Sequence, residues 1–295
     1  MDVSIVIVNY NGGEWVERSI RAVIETTAEK VCEIIVTDNG STDGSDVRIE
    51  QLFGERVQLL RLGENKGFAA ANNAAMTYCT GRNIIFLNPD TEVQPGAIAR
   101  MCEYLDNHTQ TGACGGNLYS PEGNPAFSYW TLLPGVRYEW NRLFSDLFLR
   151  LRYRGSQEHN YTGKVMPVAH VMGADLMVKK TVLDAVGGMD DSFFLFYEET
   201  ELCYRIARAG YSIVNIPEAH IIHAEGHTID ALHQRLPYMM ASRAIYLRKC
   251  VSPWERHMAD GILRISSWLR ETWFTITSDQ AKINYWNYIR THIRS

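Results

Sequence analysis

Long apolar runs are what this sequence most plainly lacks: none approaches the roughly 18 uninterrupted residues of a membrane-spanning helix. Any membrane contact is therefore expected to be peripheral. Paired cysteines are missing as well. Cys32, Cys79, Cys102, Cys114, Cys203 and Cys250 are scattered without a CxxC spacing, and the chain starts on a strand pattern instead of a secretory signal. Reduced, mostly buried thiols in a cytoplasmic protein fit that usage. A basic excess is absent too, since the formal net charge is −5, and nucleic acid is not an expected partner. Two phosphate-binding signatures are also wanting. The first loop reads Asn11-Gly12-Gly13-Glu14, neither G-x-G-x-x-G nor G-x-x-x-x-G-K-[ST], which argues against hydride transfer and ATP hydrolysis.

What the chain does contain is enough apolar material, 46% of residues against 21% charged, to bury a sizeable core. Its first hundred residues alternate strand and helix patterns. Val3 to Val8 is a continuous apolar run of the kind buried on both faces of a parallel sheet, and Trp15, Ile20, Val23 and Ile24 follow at helical spacing. Glu33 to Thr37, Val57 to Leu62 and Asn83 to Leu87 read as further strands, with an Ala-rich helix over 67–78 that carries polar Asn72 and Asn73. This alternation predicts an α/β fold with a mostly parallel, doubly wound sheet, whose ligands bind beyond the carboxyl ends of the strands. Those ends carry Asn9 and Tyr10, Asp38 and Asn39, and Asn88 and Asp90. Each pair alone suits an ordinary turn; three in register along one sheet edge suit a binding site. Asp90 is the first candidate for a divalent cation, which typically takes one or two carboxylates together with substrate phosphates.

A second feature lies near the middle. Four aromatics among five residues, Phe193, Phe194, Phe196 and Tyr197, lead directly into Glu198, Glu199 and Glu201. Three acids in the first turn of a helix can simply complement its dipole in solvent; with an aromatic flank they can equally form a reaction site.

The series VSIVIVNYN, VTDNGSTDGS, LGENKGFAAANNAA, FLNPDTEV and FFLFYEETELCYRI resembles the family 2 glycosyltransferases of GT-A fold, especially their bacterial rhamnosyltransferase-like members, over roughly residues 3 to 228. The resemblance implies a nucleotide site of Asn9, Tyr10, Asp38, Asn39, Ser41, Asn65, Gly67, Phe68 and Asn72. It implies a metal or diphosphate contact at Asp90 and His223, the latter preferred to His227, and places Asn88, Asp175, Glu201 and Arg205 about the donor sugar and acceptor. Glu199 falls where the family carries its catalytic aspartate, with Glu198 before it, and Asn88-Pro89-Asp90 falls where the family carries Asp-x-Asp. A Mg²⁺ or Mn²⁺ cofactor is thus implied, with one carboxylate fewer to hold it. Arg205 is suited to anchor the acidic cluster by a bidentate pair.

The expected organisation is a GT-A domain over 1–230, with a nucleotide-binding half at 1–100 and a catalytic half at 101–230 that contains an insertion near 125–165. A basic aromatic helical region follows over 231–295, where ten Lys/Arg stand against four Asp/Glu. Such helices suit contact with an anionic membrane, and equally packing on the catalytic domain or homodimer formation. The expected function is inverting transfer from a deoxythymidine-diphosphate rhamnose or uridine-diphosphate sugar to a glycan or lipid-linked saccharide, at the cytoplasmic face of the membrane. A nucleotidyltransferase and a non-catalytic sugar-nucleotide or glycan-binding module are the alternatives.

Overall fold

The computed structural model describes residues 2–27, 32–148, 158–224 and 232–293. His227 and residues 149–157 of the expected insertion lie outside the described residues. The chain forms two compact units: Met1–Thr131, Gln157–Phe194 and Glu198–Thr228 make the first, and Leu132–Ser156, Leu195–Tyr197 and Ile229–Ser295 the second.

The first unit is built on β1 (Val3–Asn9), α1 (Gly13–Thr26), β2 (Cys32–Asp38), α2 (Ser45–Phe53), β3 (Val57–Arg61), α3 (Phe68–Met76) and β4 (Asn83–Leu87). These β/α repeats give a parallel arrangement in the order β3-β2-β1-β4. β1 and β4 are buried along their whole length, as their unbroken apolar runs predict. After β5 (Thr91–Val93), α4 (Ala97–Asn107), β6 (Thr111–Tyr119) and β7 (Tyr129–Trp130), the chain enters α5 (Val136–Phe148) of the second unit. It returns through β8 (Met166–Pro167), β9 (His170–Val171), β10 (Asp175–Lys179), α6 (Lys180–Val186), α7 (Glu198–Arg208) and β11 (Ser212–His223).

β10 inserts antiparallel between β4 and β6, and β6 runs parallel to β11. That insertion brings the start of β10 beside the end of β4, because Asp175 pairs with Leu87. β11 runs as one strand from Ser212 to His223, with an irregularity between Ile216 and His220. Apolar residues cover both faces of the sheet. Val16, Ile20 and Ile49 pack with Ile5 and Ile7 on one side, and Ala69, Ala75 and Leu202 with Val6 and Phe86 on the other. All six cysteines are free thiols.

In the second unit, α8 (Leu232–Cys250), α9 (Pro253–Ile276) and α10 (Gln280–Thr291) pack around Leu236, Met240, Leu263, Trp286 and Ile289. A charged group lies inside this unit: Arg243 bonds Glu139 Oε1 at 2.9 Å and Asp260 Oδ1 at 2.6 Å, with all three residues buried. Among the described residues no helix is long and apolar enough to cross a membrane.

Candidate active site

Asn9 ends β1 with its side chain fully buried, and its amide donates to Asp38 Oδ1 at 2.8 Å, Ser45 Oγ at 2.8 Å and Ser41 Oγ at 3.1 Å. Its carbonyl oxygen accepts from the Gly12 amide. The side chain expected at the nucleotide is therefore committed to bracing the loop after β2. Asp38 receives a second bond, from the Ser41 amide at 3.1 Å to Oδ2, so its carboxylate is fixed in orientation at the sheet edge. Tyr10, by contrast, is 41% exposed at the same edge and free to stack on a planar ligand.

The adjoining corner is held by side-chain amides. Asn39 donates to Asn65 Oδ1 at 3.0 Å and accepts from the Lys66 amide at 2.9 Å, and Asn65 Oδ1 accepts from the Gly67 amide. Gly67 has φ +90°, and a Cβ there would meet the Phe194 carbonyl oxygen at 2.7 Å. Only glycine fits. The close approach lets the Phe68 amide donate to Phe194 O at 2.7 Å, tying the start of α3 to the segment before α7. Asn72, buried on α3, donates to Phe68 O. Its neighbour Asn73, which the sequence marked only as a polar residue in an Ala-rich helix, clasps the same segment: it accepts from the Met189 amide and donates to Met189 O at 2.7 Å.

The ends of β4 and β11 meet at a third corner. Asp90 Oδ1 lies 3.3 Å from His223 Nε2, and Asn88 Nδ2 lies 3.5 Å from the same nitrogen. Asp90 and His223 are both buried, and the Ala224 amide donates to the Asp90 carbonyl, which holds the strand ends together. Carboxylate and imidazole form a suitable partial ligand set for Mn²⁺ or Mg²⁺, to be completed by phosphate oxygens and water. Among the described residues no three His, Cys, Asp or Glu side chains gather as a metal cluster.

Asp175, expected at the donor sugar, is instead fully buried at the start of β10. Its Oδ2 accepts from the Gly116 amide at 2.5 Å, while Oδ1 has no hydrogen-bond partner among the described residues. Burial pushes its pKa up to about 7 against the opposing pull of the Gly116 amide and the charge of His223. Zero exposure withdraws this carboxylate from sugar contact and makes it a part of the sheet.

The acidic stretch is not a solvated first turn. Glu198 and Glu201 are 4% and 5% exposed at the head of α7. Phe196 and Tyr197 immediately before it have φ of 69° and 71°, a left-handed conformation that costs energy for aromatic residues and marks a constrained entry to the helix. Glu201 is taken by Arg205, whose Nε lies 2.8 Å from both carboxylate oxygens. The same guanidinium donates to Val186 O and Gly188 O, each at 2.6 Å. Arg205 and Glu201 thus brace the loop after α6 instead of facing a ligand. Glu199 differs from both. Its Oε1 accepts from Thr200 Oγ at 3.0 Å, and burial raises its pKa above the usual carboxylate range against the pull of nearby amides and the Thr200 hydroxyl. Behind it the imidazole of His170 is buried, with its pKa lowered to about 3, and is neutral.

Gly173 packs against Glu199, where a Cβ would sit 3.4 Å from Glu199 Cγ, and the next residue, Ala174, accepts the Asn88 amide at 3.0 Å. A two-residue strip without large side chains therefore connects the Asp90–His223 corner to Glu199. Such an edge can take a ligand against its backbone, with a cation-binding pair at one end and a proton-accepting carboxylate at the other.

A parallel sheet with polar residues at its strand ends, an acidic corner and a raised carboxylate is an arrangement suited to group transfer from a nucleotide-linked donor. The chain belongs to glycosyl transferase family 2, whose model matches residues 4–168. It is 26% identical over 236 residues to an N-acetylglucosaminyl-diphospho-decaprenol L-rhamnosyltransferase of Mycobacterium tuberculosis, covering 76% of either chain. It is 25% identical over 229 residues to the dTDP-rhamnosyl transferase RfbF of Shigella flexneri, covering 76% of this chain and 70% of that protein. The fold is shared with the mannosyltransferase PcManGT of Pyrobaculum calidifontis, solved with GDP-Man and Mn²⁺, at a TM-score of 0.59 and 16% identity over 99% of this chain and 84% of the other.

Proposed function

We propose that this glycosyltransferase moves rhamnose from a deoxythymidine-diphosphate donor to a hydroxyl of a lipid-linked saccharide, with inversion, at the cytoplasmic face of a membrane. The observation that carries the reading is the Gly173–Ala174 strip, which joins Glu199 to the Asn88-Pro89-Asp90 turn. The names of the two rhamnosyltransferase relatives support the choice of sugar, and the diphospho-decaprenol of one supports the acceptor class.

In this reading Asp38 and Tyr10 receive the base, and the amides of Asn39 and Asn65 shape the wall beside it. Asn9 keeps Asp38 oriented, Asn73 holds the donor corner against the segment before α7, and Asn72 is tied to Phe68 O within α3. Asp90 and His223 would hold a divalent cation, whose charge would offset that growing on the departing diphosphate. Glu199 removes the acceptor proton as that oxygen bonds to the anomeric carbon and the carbon–oxygen bond to the diphosphate breaks. The bonding electrons leave with the nucleoside diphosphate. One base with no second nucleophile gives a single displacement and hence inversion. Glu198 lies beside the base, and the Glu201–Arg205 pair fixes the helix that carries it.

Substitution Glu199→Gln is expected to lower transfer by about 10²–10⁴-fold, the usual contribution of a positioned base. Donor binding, read as thermal stabilisation by deoxythymidine-diphosphate rhamnose with Mn²⁺, is expected to persist. Near-normal turnover of that variant removes Glu199 as base. Stabilisation by a uridine-diphosphate sugar and not by the deoxythymidine donor removes the assigned sugar donor.

A further inference from the structure

Helix α9 is turned inside out. Its buried side carries Ala259, Asp260, Leu263, Ser266 and Ser267, mostly small or polar. Its exposed side carries Trp254, Met258, Ile265, Trp268, Trp273 and Ile276, and the three tryptophans are 65%, 55% and 61% exposed. At 100° per residue these six fall within an arc of about 140°, opposite the buried side, along a helix of about 36 Å. Large side chains ordinarily occupy the core-facing stripe of such a helix, and scattered exposed ones need no explanation. A continuous stripe with three tryptophans does.

We infer that this face of α9 is a membrane-docking surface, lying in the plane of an anionic bilayer with its indoles at the headgroup level. The inference deepens the proposed reaction at a lipid-linked acceptor and rests on that reading for its setting alone. Three observations select the bilayer. The stripe runs the length of the helix, which suits a planar surface, and tryptophan prefers the boundary between headgroups and acyl chains. Basic groups border it: a groove of about 490 Å³ beside the stripe is lined by Arg264, Ile265, Trp268, Arg290 and Thr291, with Arg290 also ion-paired to Glu271. Arg264 is exposed, and residues 231–295 as a whole carry ten Lys/Arg against four Asp/Glu. Anionic headgroups complement that charge. A twofold pairing of two copies through the same stripe would set its bordering arginines against their own kind. Although α9 is 24 residues long, it is not apolar enough to cross a membrane.

The test uses the full chain and vesicles of phosphatidylcholine with or without about 30 mol% phosphatidylglycerol, a composition that supplies the anionic surface. Co-sedimentation is expected with the anionic vesicles, weakened by about 0.5 M salt, which screens the basic groups. Trp268→Ser and Trp273→Ser are expected to lower the partition coefficient, each on the order of tenfold, with an unchanged melting temperature because the side chains are exposed. Binding is measured without donor or acceptor, so its failure is separable from failure of the proposed reaction. Wild-type protein that stays in the supernatant, or variants that bind as well as wild type, overturn the inference. So does a dimer seen by sedimentation velocity that both substitutions dissolve, which assigns the face to a second copy of the chain.

Discussion

Substitution Asp175→Asn tests the claim that this carboxylate belongs to the sheet and not to the sugar site. In the folded protein its pKa is about 7, against an ordinary value of 3.8. At 1.36 kcal/mol per unit, that difference corresponds to about 4 kcal/mol. The sign follows from the raised value. The favourable state is the neutral carboxyl group, so the contribution is fully present below pH 3.8 and is lost as pH rises through about 7. Wild-type stability is thus expected to fall by about 4 kcal/mol in all from this group, of which about 3 kcal/mol is lost between pH 5 and pH 8.

Asparagine keeps an oxygen for the Gly116 amide and cannot ionise. Its NH₂ points where Oδ1 has no protein partner, but so does the proton of the neutral acid, and the two penalties are similar. The variant should therefore match wild type at about pH 3.5 and exceed it near pH 8. Urea unfolding at both pH values, with the m-value checked for constancy, measures the difference. Parallel pH profiles for the two proteins would refute the reasoning, as would a variant less stable at pH 8.

The Arg205 brace can be broken conservatively. Arg205→Lys keeps the charge but loses the fork that engages Glu201 and the carbonyls of Val186 and Gly188 together, and is expected to cost about 2 kcal/mol in urea unfolding, with Glu199 chemistry impaired only as far as the loop moves. Unchanged stability would show that water replaces the fork. Gly67→Ala forces a Cβ to within 2.7 Å of Phe194 O and into a positive φ, and is expected to destabilise by more than about 1 kcal/mol and to weaken donor binding in the same thermal-shift assay. An alanine variant as stable as wild type would mean that the contact relaxes without loss.

The doubly wound half of the fold was legible because its signals are local. Val3–Asn9 and Asn83–Leu87 are buried throughout and mostly apolar, and the loops after them begin with turn residues, so parallel strands could be placed almost to the residue. β10 was harder to read. Nothing in PVAHVMGADLMVK distinguishes a strand running antiparallel between β4 and β6 from one that continues the parallel order; that choice depends on long-range pairing. The association of residues 132–148 with the C-terminal helices was equally invisible, since an amphipathic helix does not record its partner.

At the candidate site, residue type alone does not separate ligands from braces. Asn9, Asp175, Glu201 and Arg205 are polar at strand or helix ends, as ligand residues would be, yet each is satisfied by or buried within its own scaffold. Hydrogen-bond partners decide that question, and they lie about 30 to 60 residues away for Asn9 and Asp175. Glu199 is the converse case. Its extra methylene, relative to the aspartate that the family resemblance implies at this position, lengthens the reach of the carboxylate. The chain that bears it lies against Gly173, where a Cβ would sit 3.4 Å from Glu199 Cγ, in ordinary van der Waals contact. An alanine at 173 would thus touch the added methylene without displacing it, whereas a larger side chain there would compete with Glu199 for space, a relation that only the fold brings about.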